Sequence, residues 1–212
     1  MKNKIYSKMF GWLFIGLLIT FVSGYALSLN EMVLNSVLAI GIIPIIVIEL
    51  VVAVLMGFRI QKMKPLTAKI CYILYSVVTG VTFSTIFITF EMSSIIMVFL
   101  ITALLFGLLA AYGYFKKRDV TKIGNMLFVA LIAIIIISIV NIFLRSSSIE
   151  LGISIISVII FMGYVIYDMN NIKYLLSSLD DDKASVYGAF QLYLDFINIF
   201  IRLLELFGKK DD

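Results

Sequence analysis

The sequence contains no histidine. The commonest zinc ligand and the usual switch near neutral pH are therefore missing, and any response to pH must come from carboxylates. A single cysteine, Cys71, excludes an intrachain disulfide and has no neighbouring pattern that would bind metal. Proline is nearly absent as well, with only Pro44 and Pro65 in 212 residues. Charge is sparse: 14% of residues are charged and 62% are hydrophobic, far too apolar for a soluble domain of this size. The chain reads as an integral membrane protein. Its net charge of +4 could suggest nucleic acid, but the basic residues cluster beside apolar segments with no nucleic-acid module between them. Membrane orientation accounts for them better.

What is present is a series of apolar runs of membrane-spanning length. Seven spans are expected, at Phe10–Leu29, Met32–Phe58, Ile70–Phe90, Ser93–Phe115, Ile123–Leu144, Leu151–Leu176 and Tyr187–Gly208. They form one all-α domain over residues 1–212, with no linker or convincing internal repeat. The first run is longer than a secretory signal core and more spans follow it, so it reads as a span. Pro44 cannot donate to the Ile40 carbonyl and predicts a kink in the second span. The third span carries TGVTFSTIFIT, whose hydroxyls can bond back to their own helix. In the fourth, Ala103, Gly107 and Ala111 form a small-residue face that predicts close helix packing. Tyr112 and Tyr114 beside Lys116, Lys117 and Arg118 suggest an interfacial anchor. A lone Asn141 lies near the end of the fifth span. The loop SSLDDDKAS lacks the alternation and glycine of a calcium loop and reads as solvated.

The last span is unusual. Gln191, Asp195, Asn198, Arg202 and Glu205 recur at steps of three and four residues, so they share one stripe of a helix. An ionised Asp or Arg near the bilayer centre costs at least ~2.5 to 3.5 kcal/mol, so this stripe must face protein or water. The sixth span has a matching stripe of Ser154, Ser157, Phe161, Tyr164, Asp168 and Asn171, and Glu49 lies inside the second. Arg202 and Glu205 are spaced to pair with each other.

Basic residues fall mostly on one side: Lys2, Lys4 and Lys8, then Arg59, Lys62, Lys64 and Lys69, then Lys116, Lys117, Arg118 and Lys122, then Lys173 and Lys183. The opposite loops hold Arg145, with Lys209 and Lys210 at the end. The positive-inside rule puts the N-terminus in the cytosol and, for seven crossings, the C-terminus outside. A re-entrant last segment would return it. Asp168 and Asp195 then each lie ~12 Å from the same membrane face, with Glu49 at a similar depth. If the two aspartates meet, they share one proton and titrate in coupled steps. The singly protonated pair closes with a hydrogen bond, and the doubly ionised pair repels and opens or recruits a hard cation. The other reading is two buried acids satisfied separately by Tyr, Asn or Arg202.

VIYDMNNIK at the end of the sixth span and YLDFINIFIRLLELFG in the seventh resemble the transmembrane Bax inhibitor motif family, in particular its small bacterial members. The resemblance covers essentially the whole chain. It implies a seven-helix bundle with the seventh helix central, acting as a pH-sensitive calcium leak channel. By match, Asp168 and Asp195 would form the gating latch and bind calcium transiently, and Glu49 would lie on the ion path. Arg59 is the nearest candidate for an arginine that steadies such a latch, although its position does not match cleanly. Asn171, Asn198, Arg202 and Glu205 are candidate supporting residues.

Tyr167-Asp168 also resembles half of an intramembrane aspartyl protease signature, but the Gly-x-Gly-Asp half is missing around Asp195. No lysine lies in the last span for a retinal Schiff base. A proton-coupled transporter would show an inverted repeat with interrupted helices in both halves. A non-conducting interaction or stress-protective protein is the main alternative. The expectation is a non-enzymatic calcium leak channel without cofactor, a monomeric multi-pass protein of a bacterial plasma membrane. Its partners are calcium, protons and lipid, with no nucleic acid.

Overall fold

The computed structural model describes residues 2–116, 120–175 and 180–211. Lys117 and Arg118 of the expected anchor, Leu176 and the 177–179 part of the acidic loop lie outside the described residues. The described residues form α1 (Lys2–Ser28), α2 (Glu31–Ile40), α3 (Ile42–Arg59), α4 (Pro65–Thr89), α5 (Met92–Phe115), α6 (Thr121–Leu144), α7 (Ser147–Leu175) and α8 (Asp181–Phe207), with a short 3-10 turn after α3. Five helices, α1 and α4 to α7, are long and apolar enough to cross a membrane, and α2 with α3 makes a sixth candidate bent by 85°. At 27 residues α8 is long enough, but its polar stripe keeps it below the same measure of apolarity.

The bend in the second span does not start at Pro44. The helix ends three residues earlier at Gly41, whose φ of +82° is open to glycine and strained for other residues. The Gly41 N–H closes α2 on the Val37 carbonyl at 3.1 Å. Pro44 falls in the first turn of α3, where a missing N–H serves no intrahelical acceptor.

Two compact units divide the chain. The first comprises Met1–Met92, Ser178–Tyr193 and Lys210–Asp212. Within it α1 lies along α4, because Gly24 lets the backbones approach: a Cβ there would meet Phe83 Cβ at 2.7 Å and the Gly80 carbonyl at 3.0 Å. Edge-to-face contacts of Phe21 with Phe83 and Tyr25 with Phe87, at 5.3 and 5.6 Å, extend the same seam. Tyr72 and Tyr75 of α4 pack edge-on against Phe190 and Tyr193 of α8, and all four are buried.

The acidic loop proves to be a helix start. Asp180 accepts the Asp182 N–H at 3.1 Å as an N-cap. Asp182, in the first turn, pairs with Lys8 at 2.7 Å and Lys69 at 2.8 Å, tying α8 to α1 and α4. Its charge also suits the positive end of the helix dipole. It is therefore not simply solvated. After α8, Lys210 bridges to Phe90 and the Asp211 N–H reaches the Thr89 carbonyl at 3.0 Å. The two attachments lie at opposite ends of α4. Lys69 and Thr89 are about 30 Å apart along that helix, the thickness of a hydrocarbon core.

The second unit comprises Ser93–Ser177 and Leu194–Lys209. Here α6 packs on α7 through Ile134, Ile153 and Ile160, with Leu127 and Leu131 against them. The expected small-residue face of α5 is not its packing face. Ala103, Gly107 and Ala111 are exposed, and a Cβ added at Gly107 would meet nothing within 4 Å. The buried face is instead Ile95, Val98, Thr102, Phe106, Ala110 and Gly113. Phe106 sets its ring edge-on to Phe196 at 5.5 Å, so contact area, not close backbone approach, decides which face is inside. At the end of α6, Arg145 is left-handed at φ 51°, and the Asn141 side chain accepts the Ser146 N–H at 3.1 Å. The lone asparagine of the fifth span is thus a helix cap.

Candidate functional site: a carboxylate pair between two helices

Within the second unit the stripes of α7 and α8 meet at Asp168 with Asp195 and at Ser154 with Glu205. Asp168 is 7% exposed and Asp195 4%, so neither can be solvated on its own. Their carboxyl groups lie within hydrogen-bonding reach of one another. Such a bond requires a proton on one partner, because two ionised carboxylates at that separation would repel. The second Asp195 oxygen, Oδ2, is buried without a hydrogen-bond partner among the described residues. Tyr164, one turn before Asp168, lies within electrostatic reach of both acids.

Two of the neighbouring donors that could satisfy the acids separately are engaged elsewhere. Arg202 bonds Glu205 at 2.7 Å, and Asn198 donates to the Leu194 carbonyl of its own helix at 2.7 Å. Glu205 Oε2 also accepts from Ser154 Oγ of α7 at 2.8 Å, so the seam has a polar contact at its other end. Ser157 lies between, buried and without a partner for its hydroxyl among the described residues.

Asn171 makes no side-chain hydrogen bond among the described residues. The preceding Asn170 is the asparagine built into the unit, buried and donating to the Gly113 carbonyl at 3.3 Å and the Lys116 carbonyl at 2.8 Å. Lys173 Nζ donates to the same two carbonyls at 3.2 and 3.1 Å. Together they satisfy carbonyls left open at the C-terminus of α5, and the lysine complements the negative end of its dipole. Sequence reasoning missed this pair; Asn170 could have been found only by asking which groups close the end of α5.

Glu49 belongs to the first unit. It sits half-buried on α3 and accepts from Thr82 Oγ1 of α4 at 2.6 Å. Most hydroxyls of TGVTFSTIFIT bond back to their own helix, as expected, but Thr82 holds a carboxylate instead. Tyr75 and Tyr193 lie within electrostatic reach of Glu49. The Tyr193 hydroxyl is 2.6 Å from Thr20 Oγ1, which donates to the Ser76 carbonyl at 2.9 Å. Glu49 thus stands at the edge of a buried hydroxyl cluster that the sequence stripes did not reveal. Arg59, at the end of α3, makes no side-chain hydrogen bond or ion pair among the described residues, and with Lys62 and Met63 it lines an open surface pocket.

No group of three or more His, Cys, Asp or Glu side chains positioned for a metal occurs among the described residues. The aspartate pair alone supplies at most four of the six to eight oxygens that calcium takes, so the rest would have to be water or backbone.

Comparison with known proteins gives the family of the chain. A family model described as Inhibitor of apoptosis-promoting Bax1 matches residues 2–212. The inner membrane protein YbhL of Escherichia coli strain K12 is 38% identical over 96% of this chain and 91% of its own length. An uncharacterized protein of Borreliella burgdorferi is 38% identical over 99% of this chain and 93% of its own length. An uncharacterized membrane protein of Streptococcus pyogenes serotype M1 is 33% identical over 78% of this chain and 73% of its own length. With five to six apolar spanning helices and a match from end to end, the chain is a membrane protein that belongs to the Bax inhibitor family.

Proposed function

We propose that this protein is a pH-sensitive calcium leak channel of a bacterial cell membrane, gated by Asp168 and Asp195. The observation that carries the reading is the close approach of these two buried carboxyl groups, where a shared proton makes a hydrogen bond, on helices that also meet at Ser154 and Glu205. With one proton shared, the bond holds α7 to α8 and the path is closed. As pH rises the last proton leaves, the two charges repel, and the helices part. The freed carboxylates then offer oxygen ligands to a passing calcium ion, which is cargo and not a resident cofactor. Glu49, held by Thr82, attracts the cation elsewhere on its route.

The same reading has seven crossings with α8 as the central one, the N-terminus in the cytosol and the C-terminus outside. The attachment of the two flanks of α8 to opposite ends of α4 supports a crossing over a re-entrant loop. The channel works as a monomer and performs no bond chemistry.

The test is purified protein in calcium-reporting liposomes across pH, wild type against Asp195→Asn. The asparagine amide can donate to Asp168 at any pH, so the variant should stay closed and its flux should lose the rise with pH. A pH-dependent flux that survives the substitution unchanged would sink the latch. No flux from either protein would favour a non-conducting interaction or stress-protective role, and cleavage of a membrane peptide would favour an aspartyl protease.

A further inference from the structure

The α7–α8 seam has a polar contact at each end. At one end is the aspartate pair; at the other, Glu205 Oε2 accepts from Arg202 at 2.7 Å and from Ser154 at 2.8 Å. Antiparallel helices with Asp168 opposite Asp195 and Ser154 opposite Glu205 put the stretch holding Ser157 and Phe161 between those ends. Phe161 is apolar, yet Ser157 Oγ is buried at 2% exposure with no hydrogen-bond partner among the described residues. A buried hydroxyl without a partner is destabilising, and such groups are normally hydrogen-bonded to protein or water. Ser157 and Asp195 Oδ2 are two such groups on one seam. Both are more than nine-tenths buried, and both lie on the polar stripes.

We infer that Ser154, Arg202 and Glu205 form a second closure, a charge-balanced seal that keeps water and hydrated cations out of a seam in which Ser157 is the first polar wall. This deepens the channel reading of the same seam and places a gate in series with the aspartate pair. Its chemistry suits that task. Arg202 alone would repel a cation and Glu205 alone would bind one. Joined by a charge-assisted bond they do neither, and they present a crossbar anchored to α7 through Ser154. Opening the seal needs no change of protonation at the aspartates, so it acts on the size of the flux and not on its pH midpoint.

The experiment uses the full chain in nanodiscs, with Cys71→Ser and Ser157→Cys giving one thiol behind the seal. Its rate of modification by a small water-soluble thiol reagent is measured in one mildly acidic buffer, where the aspartate pair is closed. With Arg202 and Glu205 intact the thiol should react slowly. Arg202→Gln and Glu205→Gln should each speed it on the order of tenfold, the shift in a local opening equilibrium expected from one lost charge-assisted hydrogen bond. The charge swap Arg202→Glu with Glu205→Arg should restore slow reaction. Ser154→Ala, which removes only a neutral donor, gives a milder increase in a variant with all charges kept. Equal rates in every variant, or fast reaction with the pair intact, overturn the seal. Calcium flux from the same preparations separates the two proposals. Absent flux with the expected labelling pattern removes the channel and keeps the seal, whereas pH-dependent flux with unresponsive labelling does the reverse.

Discussion

Individual residues here are decided by whether a buried polar atom finds a partner. Asp168 and Asp195 were legible from the sequence because a carboxylate in an apolar helix is costly and their stripes match. Asn170 was not, because its partners are backbone carbonyls at the end of another helix, and no side-chain pattern announces an open carbonyl. The neighbouring asparagines should therefore behave differently. Asn170→Ala strips its amide from the Gly113 and Lys116 carbonyls and should destabilise the protein by about 1 to 3 kcal/mol, whereas Asn171→Ala should stay close to wild type. Thermal unfolding of both variants in the same detergent checks this, and an equal loss from Asn171→Ala would refute the assignment. Glu49 makes the same point: its burial in an apolar helix was visible, but its Thr82 donor was one hydroxyl in a patch where most bond to their own backbone.

At the scale of elements, the ends differ most from the sequence reading. Apolar periodicity locates helix bodies well, and α5 and α6 match the expected spans within two residues. Their ends depend on capping, which is why the acidic run turned from loop into the first turn of α8. Hydrogen bonds from Lys69 and Lys8 hold the Asp182 carboxyl below its ordinary 3.8, at about 2. A depressed carboxylate contributes stability above its unfolded value and loses it as pH falls through the folded one. The tie between α8 and the starts of α1 and α4 is thus complete at neutral pH and fails only on strong acidification, towards about 2. Asp182→Asn should remove it at every pH. Hydrogen exchange of the first turns of α8 should be faster in the variant, and high salt should speed the wild type towards it, because both lysine contacts are partly exposed. Unchanged exchange would mean that packing around Tyr187 and Phe190 suffices to hold the turn.

For the whole molecule the question is the number of crossings. Five helices qualify on apolarity alone and α2 with α3 makes a sixth, whereas α8 is excluded by the stripe that makes it interesting. A helix with a buried polar face can still cross if neighbours shield that face, and its flanking residues are fastened about 30 Å apart along α4. Seven crossings put the two termini on opposite sides of the membrane, and six put them together. Reporters fused at each terminus should therefore read cytosolic for the N-terminus and external for the C-terminus. Two cytosolic readings would convert α8 into a re-entrant segment and would remove the outward direction from the proposed path.

The amino-acid sequence by itself determined that the chain is helical and belongs in a membrane, because only helices and closed barrels satisfy their backbones in lipid, and continuous apolar runs of this length suit helices. It also determined which residues are too costly to face lipid. Tertiary structure decided how those residues are satisfied: Asp168 with Asp195, Arg202 with Glu205 and Ser154, Glu49 with Thr82, Asp182 with two lysines. The physical reason is range. The penalty for burying charge is local and can be read position by position, whereas the partner that relieves it is often fixed by packing between helices distant in the chain.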